Sequence, residues 1–278
     1  FGFFWIPSLG LNGIAISTAV CFLAGTISMG LIIGLKSPFK DIQPFRRLWA
    51  MDWKITKKIL KVGSPNGVMV MSETGMFAVA SIMMGFFGTA ALAATAISTQ
   101  LAGICFMIPL SIAQASSILI GRAAGSQDTK KVASLSIISI ALGIGVTSLM
   151  SFLIFIFHMP LIDIFLRRDD PLQEAVMNFA IPFLLITALF QIVDGLQAIT
   201  AAILRGINDT AIPAVIGFIC FWGGGLFVGY LLAFRAEVGP NGIWWGLACG
   251  LTLASLILTM RCFWFLYKMK TYNKVELG

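Results

Sequence analysis

Val62–Thr89 reads VGSPNGVMVMSETGMFAVASIMMGFFGT and Ala175–Leu204 reads AVMNFAIPFLLITALFQIVDGLQAITAAIL, and each run holds a single charged residue, Glu73 in the first and Asp194 in the second. A bilayer core about 30 Å thick is crossed by about 20 residues of α-helix at a rise of about 1.5 Å each. Both runs exceed that length. An acid at bilayer depth costs about 2.5–3.5 kcal/mol on insertion scales, and such residues go with ion and proton pathways. A protonated acid hydrogen-bonded to a neighbouring helix is the plainer reading, and it accounts for one such residue more readily than for two.

Outward from these runs the same pattern continues. Hydrophobic residues make up 58% of the 278 and charged residues 11%, with a mean hydropathy of +0.94. A soluble domain of this size has no way to hide that much apolar surface, so the chain reads as an all-α polytopic membrane protein. Uncharged stretches predict seven transmembrane helices, near 10–34, 62–86, 90–119, 132–157, 176–203, 211–234 and 243–266. The connecting segments alternate in charge. Sixteen of the nineteen Lys and Arg residues fall in 36–61, 122–131, 205–209 and the tail from Arg261. The opposite side has 158–174, where Asp163, Asp169, Asp170 and Glu174 outnumber two Arg, and the balanced 235–237. Basic loops mark the cytoplasmic side, which puts the C-terminus in the cytoplasm. The net charge of +7 is then topology, and no nucleic-acid partner is expected.

Cys21, Cys105, Cys220, Cys249 and Cys262 all fall within predicted spans without C-x-x-C spacing, which makes them small apolar fillers. His158 is the one histidine, so no histidine cluster forms. Asn208-Asp209-Thr210 fits a glycosylation sequon, but on the cytoplasmic side it is expected to stay unmodified. Short loops and the lack of outer sequons fit a bacterial inner membrane.

Gly10-Leu11-Asn12-Gly13-Ile14 and Gly239-Pro240-Asn241-Gly242-Ile243 share the pattern G-x-N-G-I, each just before a span entering from outside. Six spans separate them, which is an even number. If the match marks a structural repeat, the two halves share an orientation and the repeat axis lies along the membrane normal. The alternative is that the string is a common way to begin a membrane helix. The repeat predicts four segments: 1–35, the last helix of a truncated first lobe; 36–61, a basic inter-lobe linker; 62–267, a complete six-helix lobe; and 268–278, a tail. Two full lobes need about 460 residues, of which about 180 would precede this chain. In the linker, Trp53–Leu60 is amphipathic and is expected to lie on anionic headgroups.

Residues three, four and seven apart share a helix face. Around Asp194 that face carries Thr187, Gln191, Gln197, Ala198 and Ala201, a polar and small stripe suited to a cavity or to other helices. Around Glu73 it carries Asn66, Met69, Val70, Met76, Phe77 and Ala80. Methionine adapts its shape, aromatic rings stabilise cations and a carboxylate supplies countercharge, which together suit a permissive site for hydrophobic cations. Packing alone also explains Met and Phe. Pro65, Pro109, Pro182, Pro213 and Gly223-Gly224-Gly225 interrupt spans and are read as hinge candidates.

Glu73 in the helix after the linker and Asp194 three helices later resemble the second lobe of multidrug and toxic compound extrusion (MATE) transporters. Pro109-Leu110-Ser111-Ile112-Ala113-Gln114-Ala115-Ser116 leading into Gly121-Arg122-Ala123-Ala124-Gly125 is similar to that family too, as is Leu204-Arg205-Gly206-Ile207-Asn208-Asp209-Thr210 followed by Pro213. The resemblance runs from the sixth helix of such a protein to its twelfth. It implies that Glu73 and Asp194 bind Na⁺ or H⁺ and couple it to export of organic cations, with any Na⁺ held at those two acids. Gln191, Gln197, Asn66 and Thr187 are secondary polar ligands in this reading; Met69, Met76, Phe77 and Phe190 line the substrate path. Arg205 is assigned to loop structure. Family members often carry Tyr four residues before the second acid, where this chain has Phe190. No cofactor beyond the coupling ion is implied, no enzyme activity is expected, and the full-length protein is expected to be a monomer. The nearest alternative is a lipid-linked oligosaccharide flippase, which calls for more cations inside the spans. An intramembrane aspartyl protease lacks its Tyr-Asp and Gly-x-Gly-Asp strings here, and a non-transporting scaffold leaves the two acids unexplained.

Overall fold

The computed structural model describes residues 10–35, 52–166 and 172–275. Residues 36–51, most of the expected linker, and 167–171 of the acidic loop lie outside the described residues. Seven helices are long and apolar enough to cross a membrane, and no strand occurs among the described residues. They are α1 (Gly10–Leu35), α2 (Trp53–Gly85), α3 (Thr89–Gly125), α4 (Thr129–Asp163), α5 (Gln173–Gly206), α6 (Ala211–Arg235) and α7 (Pro240–Val275). The chain is thus a multi-pass all-α membrane protein, and both copies of G-x-N-G-I open a helix, α1 and α7.

The chain divides into two compact units, 1–58 and 59–278. The first holds α1 and the opening turns of α2. In α1 the hydroxyls of Thr26 and Ser28 donate back to the carbonyls of Phe22 and Ala24, so both are satisfied within the helix. Trp53–Leu60, expected as a separate surface anchor, instead begins α2. Asp52 caps it by accepting from the Lys54 backbone N–H at 2.8 Å, and nothing before Pro65 breaks the pattern. Pro65 removes one backbone donor and the helix runs through it.

In the second unit, connections of three or four residues, and of nine between α4 and α5, make neighbouring helices run antiparallel. Lys61, Arg122, Lys130, Lys131, Arg205, Arg261 and Lys268 all fall at the same end of the bundle, which we call the basic face. Helix α5 is the axis, packed on α3, α4 and α7. Glycines let it seat closely: a Cβ at Gly195 would strike Thr147 of α4 and approach Pro109 of α3, and one at Gly206 would lie 2.9 Å from the Ser117 carbonyl. Helix α4 bends at Phe157 (φ −101°, ψ 17°), three residues before Pro160.

Helices α6 and α7 meet backbone to backbone. Gly225, Gly229 and Ala233 on α6 face Gly250, Gly246 and Gly242 on α7, each set at a spacing of four. A Cβ at Gly250 would lie 2.7 Å from the Gly225 Cα, and one at Gly246 would collide with Gly229. This is small-residue packing of membrane helices, in which close backbone approach supplies the dispersion energy that apolar burial cannot. Over Cys220–Phe227, which contains Gly223-Gly224-Gly225, α6 widens into π-helical turns, and it does so again over Leu231–Arg235.

Helix α2 is attached differently. Its backbone comes close to its neighbours at few positions. Side chains bridge the gap: Met69 reaches the notch at Gly217, Met76 the notch at Gly225, and Trp222 of α6 lies against Gly75.

Candidate functional site

A cavity of ≈ 520 Å³ fills the space between α2 and the axis helix. Three helical stripes wall it. Asn66, Met69, Val70, Glu73, Thr74 and Phe77 come from α2; Thr99, Ala102, Gly103, Phe106, Met107, Leu110 and Ala113 come from α3; Phe190, Asp194, Gln197, Ala198, Ala201 and Arg205 come from α5. Each set recurs at three- and four-residue intervals, so one face of each helix turns inward. The lining is mostly apolar, with its charges at two levels.

One level holds the carboxyls. Asp194 is 6% exposed and Glu73 half-buried, and the two are close enough to interact electrostatically. Gln197 lines the same cavity, three residues beyond Asp194 on α5. Asp194 Oδ1, Gln197 Oε1 and both polar atoms of Gln191 are buried without a hydrogen-bond partner from the protein. Buried polar atoms are nearly always satisfied, so four such atoms between 191 and 197 of one helix are unusual. Among the described residues neither acid forms an ion pair. Carboxyls held this way are stable when a proton or a cation neutralises them. The donor set is carboxylate and amide oxygen, which suits a hard ion and offers nothing to a soft metal.

On α5 the acid sits where one packed region gives way to another. Residues of 176–190 join a cluster with Met84, Phe221, Trp244 and Leu251, whereas Ile199, Ile203 and Leu204 join one with Ile120, Val132 and Leu258. Phe190 stacks on Trp244 at 6.0 Å between centroids, and Trp244 stacks in turn on Phe183 at 5.4 Å. These stacks fix the helix turn that presents Asp194.

The other level is Arg205. Expected in a loop, it lies in the last turn of α5 and lines the cavity at the basic face. Its guanidinium donates to Asn66 Oδ1 (3.0 Å), Gln114 Oε1 (3.1 Å) and Ser117 Oγ (3.3 Å). All three acceptors are neutral, and they belong to α2 and α3. One side chain therefore ties three helices together.

The structure brings Glu73, Asp194, Gln197, Asn66, Met69, Phe77 and Phe190 to this one cavity. Three expected residues do not line it. Met76 is fully buried in the packed core, because it fills the notch at Gly225. Thr187 is buried and donates to the carbonyl of Phe183 in its own helix, so its hydroxyl is spent locally. Gln191 is buried within the bundle beyond the cavity wall. The α3 stripe was not singled out from sequence. It has no charge, and only the interval of its small and aromatic residues could have marked it.

A family model described as MatE matches residues 65–231. The chain is 37% identical over 261 residues to a probable multidrug resistance protein NorM of Brucella suis, covering 94% of this chain and 55% of that one. To the probable NorM of Rhizobium meliloti it is 38% identical over 264 residues, covering 95% and 56%. It thus spans about half the length of the curated relatives it matches. A structure described as the outward-facing conformation of a multidrug resistance MATE family transporter superposes with a TM-score of 0.80 at 16% identity, covering 96% of this chain and 58% of that one.

Proposed function

This chain belongs to the MatE family, and from that premise we propose that it takes part in export of organic, cationic or amphipathic compounds driven by entry of Na⁺ or H⁺. The observation that carries this reading is the acid pair, Glu73 and Asp194, facing one cavity with Phe77, Phe106, Phe190, Met69 and Met107. Aromatic faces and adaptable thioethers hold a flat or irregular cation, and the carboxylates give it a countercharge. Relatives named as multidrug resistance proteins support the substrate class.

The cycle needs only competition for negative charge. With the cavity open to the outside, Asp194 and Glu73 take up the coupling ion, the countercharge is lost and the organic cation leaves. With the cavity open to the cytoplasm, the ion departs and the carboxylates are free for another cation. Each ligand shifts the equilibrium by its difference in affinity for the two states. Gln197 and Asn66 act as polar supports at the two levels of the cavity. We place the protein in a bacterial inner membrane with the basic face toward the cytoplasm, on the charge bias of its loops. A flippase for pyrophosphate-linked sugars is less favoured, since among the described residues Arg205 is the one cation lining the cavity and neutral oxygens hold it.

The test is efflux of a fluorescent lipophilic cation from cells producing the wild-type protein or Asp194→Asn, with and without a Na⁺ gradient. Loss of efflux in the variant is the expected result, and dependence on the gradient separates Na⁺ from H⁺. Efflux undiminished in Asp194→Asn would overturn the mechanism.

A further inference from the structure

A second cavity, ≈ 470 Å³, opens at the basic face between the start of α4 at Thr129, the start of α6 and the end of α7, away from the acid pair. Its lining combines two cations, Arg261 and Lys268, with Ile212, Trp264, Phe265 and Met269. Arg261 donates from Nε to Asp209 Oδ2 at 2.7 Å. That bond occupies one edge of the guanidinium and leaves its terminal nitrogens for another oxyanion. Lys268 rests its ammonium over the Trp264 ring, 5.4 Å from the centroid, with no carboxylate partner among the described residues.

Below this charged mouth α6 and α7 each expose apolar side chains. Leu253, Ile257, Met260 and Trp264 are exposed and spaced four, three and four apart, so they form one stripe that leads up α7 to Lys268. Exposed Ile212, Val215 and Ile219 form a matching stripe on α6. An amphipathic tryptophan at the junction of the apolar stripe and the cations marks the headgroup level. Bulk lipid covers any such stripe. A cavity with two cations at its top distinguishes one lipid from the rest, and basic pockets between helices are where anionic headgroups bind.

We propose that this groove holds one anionic phospholipid, its phosphate on Arg261 and Lys268 and its acyl chains along the α6 and α7 stripes. The site is separate from the acid pair and does not depend on which compound the protein carries. Its effect is positional: the lipid would join the loop 207–210, through Asp209 and Arg261, to the end of α7 and the membrane surface.

Native mass spectrometry of the purified protein, exchanged from equimolar phosphatidylglycerol and phosphatidylcholine, tests it. The wild type should retain one phosphatidylglycerol in preference to phosphatidylcholine. Lys268→Gln should lower that retention about five-fold, the contribution of one basic side chain near an anionic surface. Asp209→Asn, which releases Arg261 from its partner, should raise it. Arg122→Gln, on the same face and outside the groove, should leave it unchanged. Equal retention of the two lipids, or no response to Lys268→Gln, would overturn the proposal. So would full displacement of phosphatidylglycerol by millimolar inorganic phosphate, since the acyl stripes would then contribute nothing.

Discussion

Arg205 and Asp194 lie on one helical stripe, and sequence revealed them unequally. Asp194 and Glu73 are legible because each is the lone charge in an apolar run. Arg205 follows the end of such a run and reads as a loop residue. Its partners Asn66, Gln114 and Ser117 are 88 to 139 residues away, and no local pattern reports them. Met76 misleads for a related reason. It shares the Glu73 face, but the Gly225 notch that takes its sulfur lies on another helix. Replacing Arg205 by Met strands three polar acceptors and is expected to destabilise the protein by about 1–3 kcal/mol. Thermal unfolding of the purified protein reads this directly. Arg205→Lys should recover part of the loss, because an ammonium carries the charge without the planar fork. A melting temperature unchanged in Arg205→Met would show that the three bonds contribute nothing net.

Among the elements, the helices themselves were plain, since length and hydropathy define them and all seven lie where expected. What sequence could not supply was their pairing. Gly223-Gly224-Gly225 looks like a breaker, yet α6 continues through it with wider turns. The four-residue spacing of Gly225 with Gly229, and of Gly242 with Gly246 and Gly250, is visible in the sequence, but either set gains meaning only when opposed to the other. Gly246→Ala should cost about 1–3 kcal/mol by overpacking a seam that has no room to shift. Gly223→Ala, with open space around its Cβ position, should be neutral or slightly stabilising. Comparing folded yield and melting temperature for the two variants checks the seam. Equal behaviour would mean that it yields more easily than its geometry implies.

For the molecule as a whole, the charge bias of the loops predicts orientation. Gln127 lies in the loop before α4 on the basic face, and Glu237 in the loop before α7 on the other. With Cys at position 237, intact cells should react with a membrane-impermeant maleimide; with Cys at 127, only after permeabilisation. The native cysteines, all within spans, give the background. The reverse pattern would invert the topology. The attachments of α2 and α7 have a mechanical consequence. Stiffness is unevenly distributed: α7 is locked to α6 through main chain, whereas α2 leans on thioethers, one indole and the Arg205 fork. Thioethers slide and repack at little cost. The soft coordinate of this bundle is therefore the displacement of α2, and α2 carries Glu73 while the stiff axis carries Asp194. The gap between the two acids is set by the least constrained helix, so on the coupling proposed above an ion held by both acids would draw α2 toward the stiff axis.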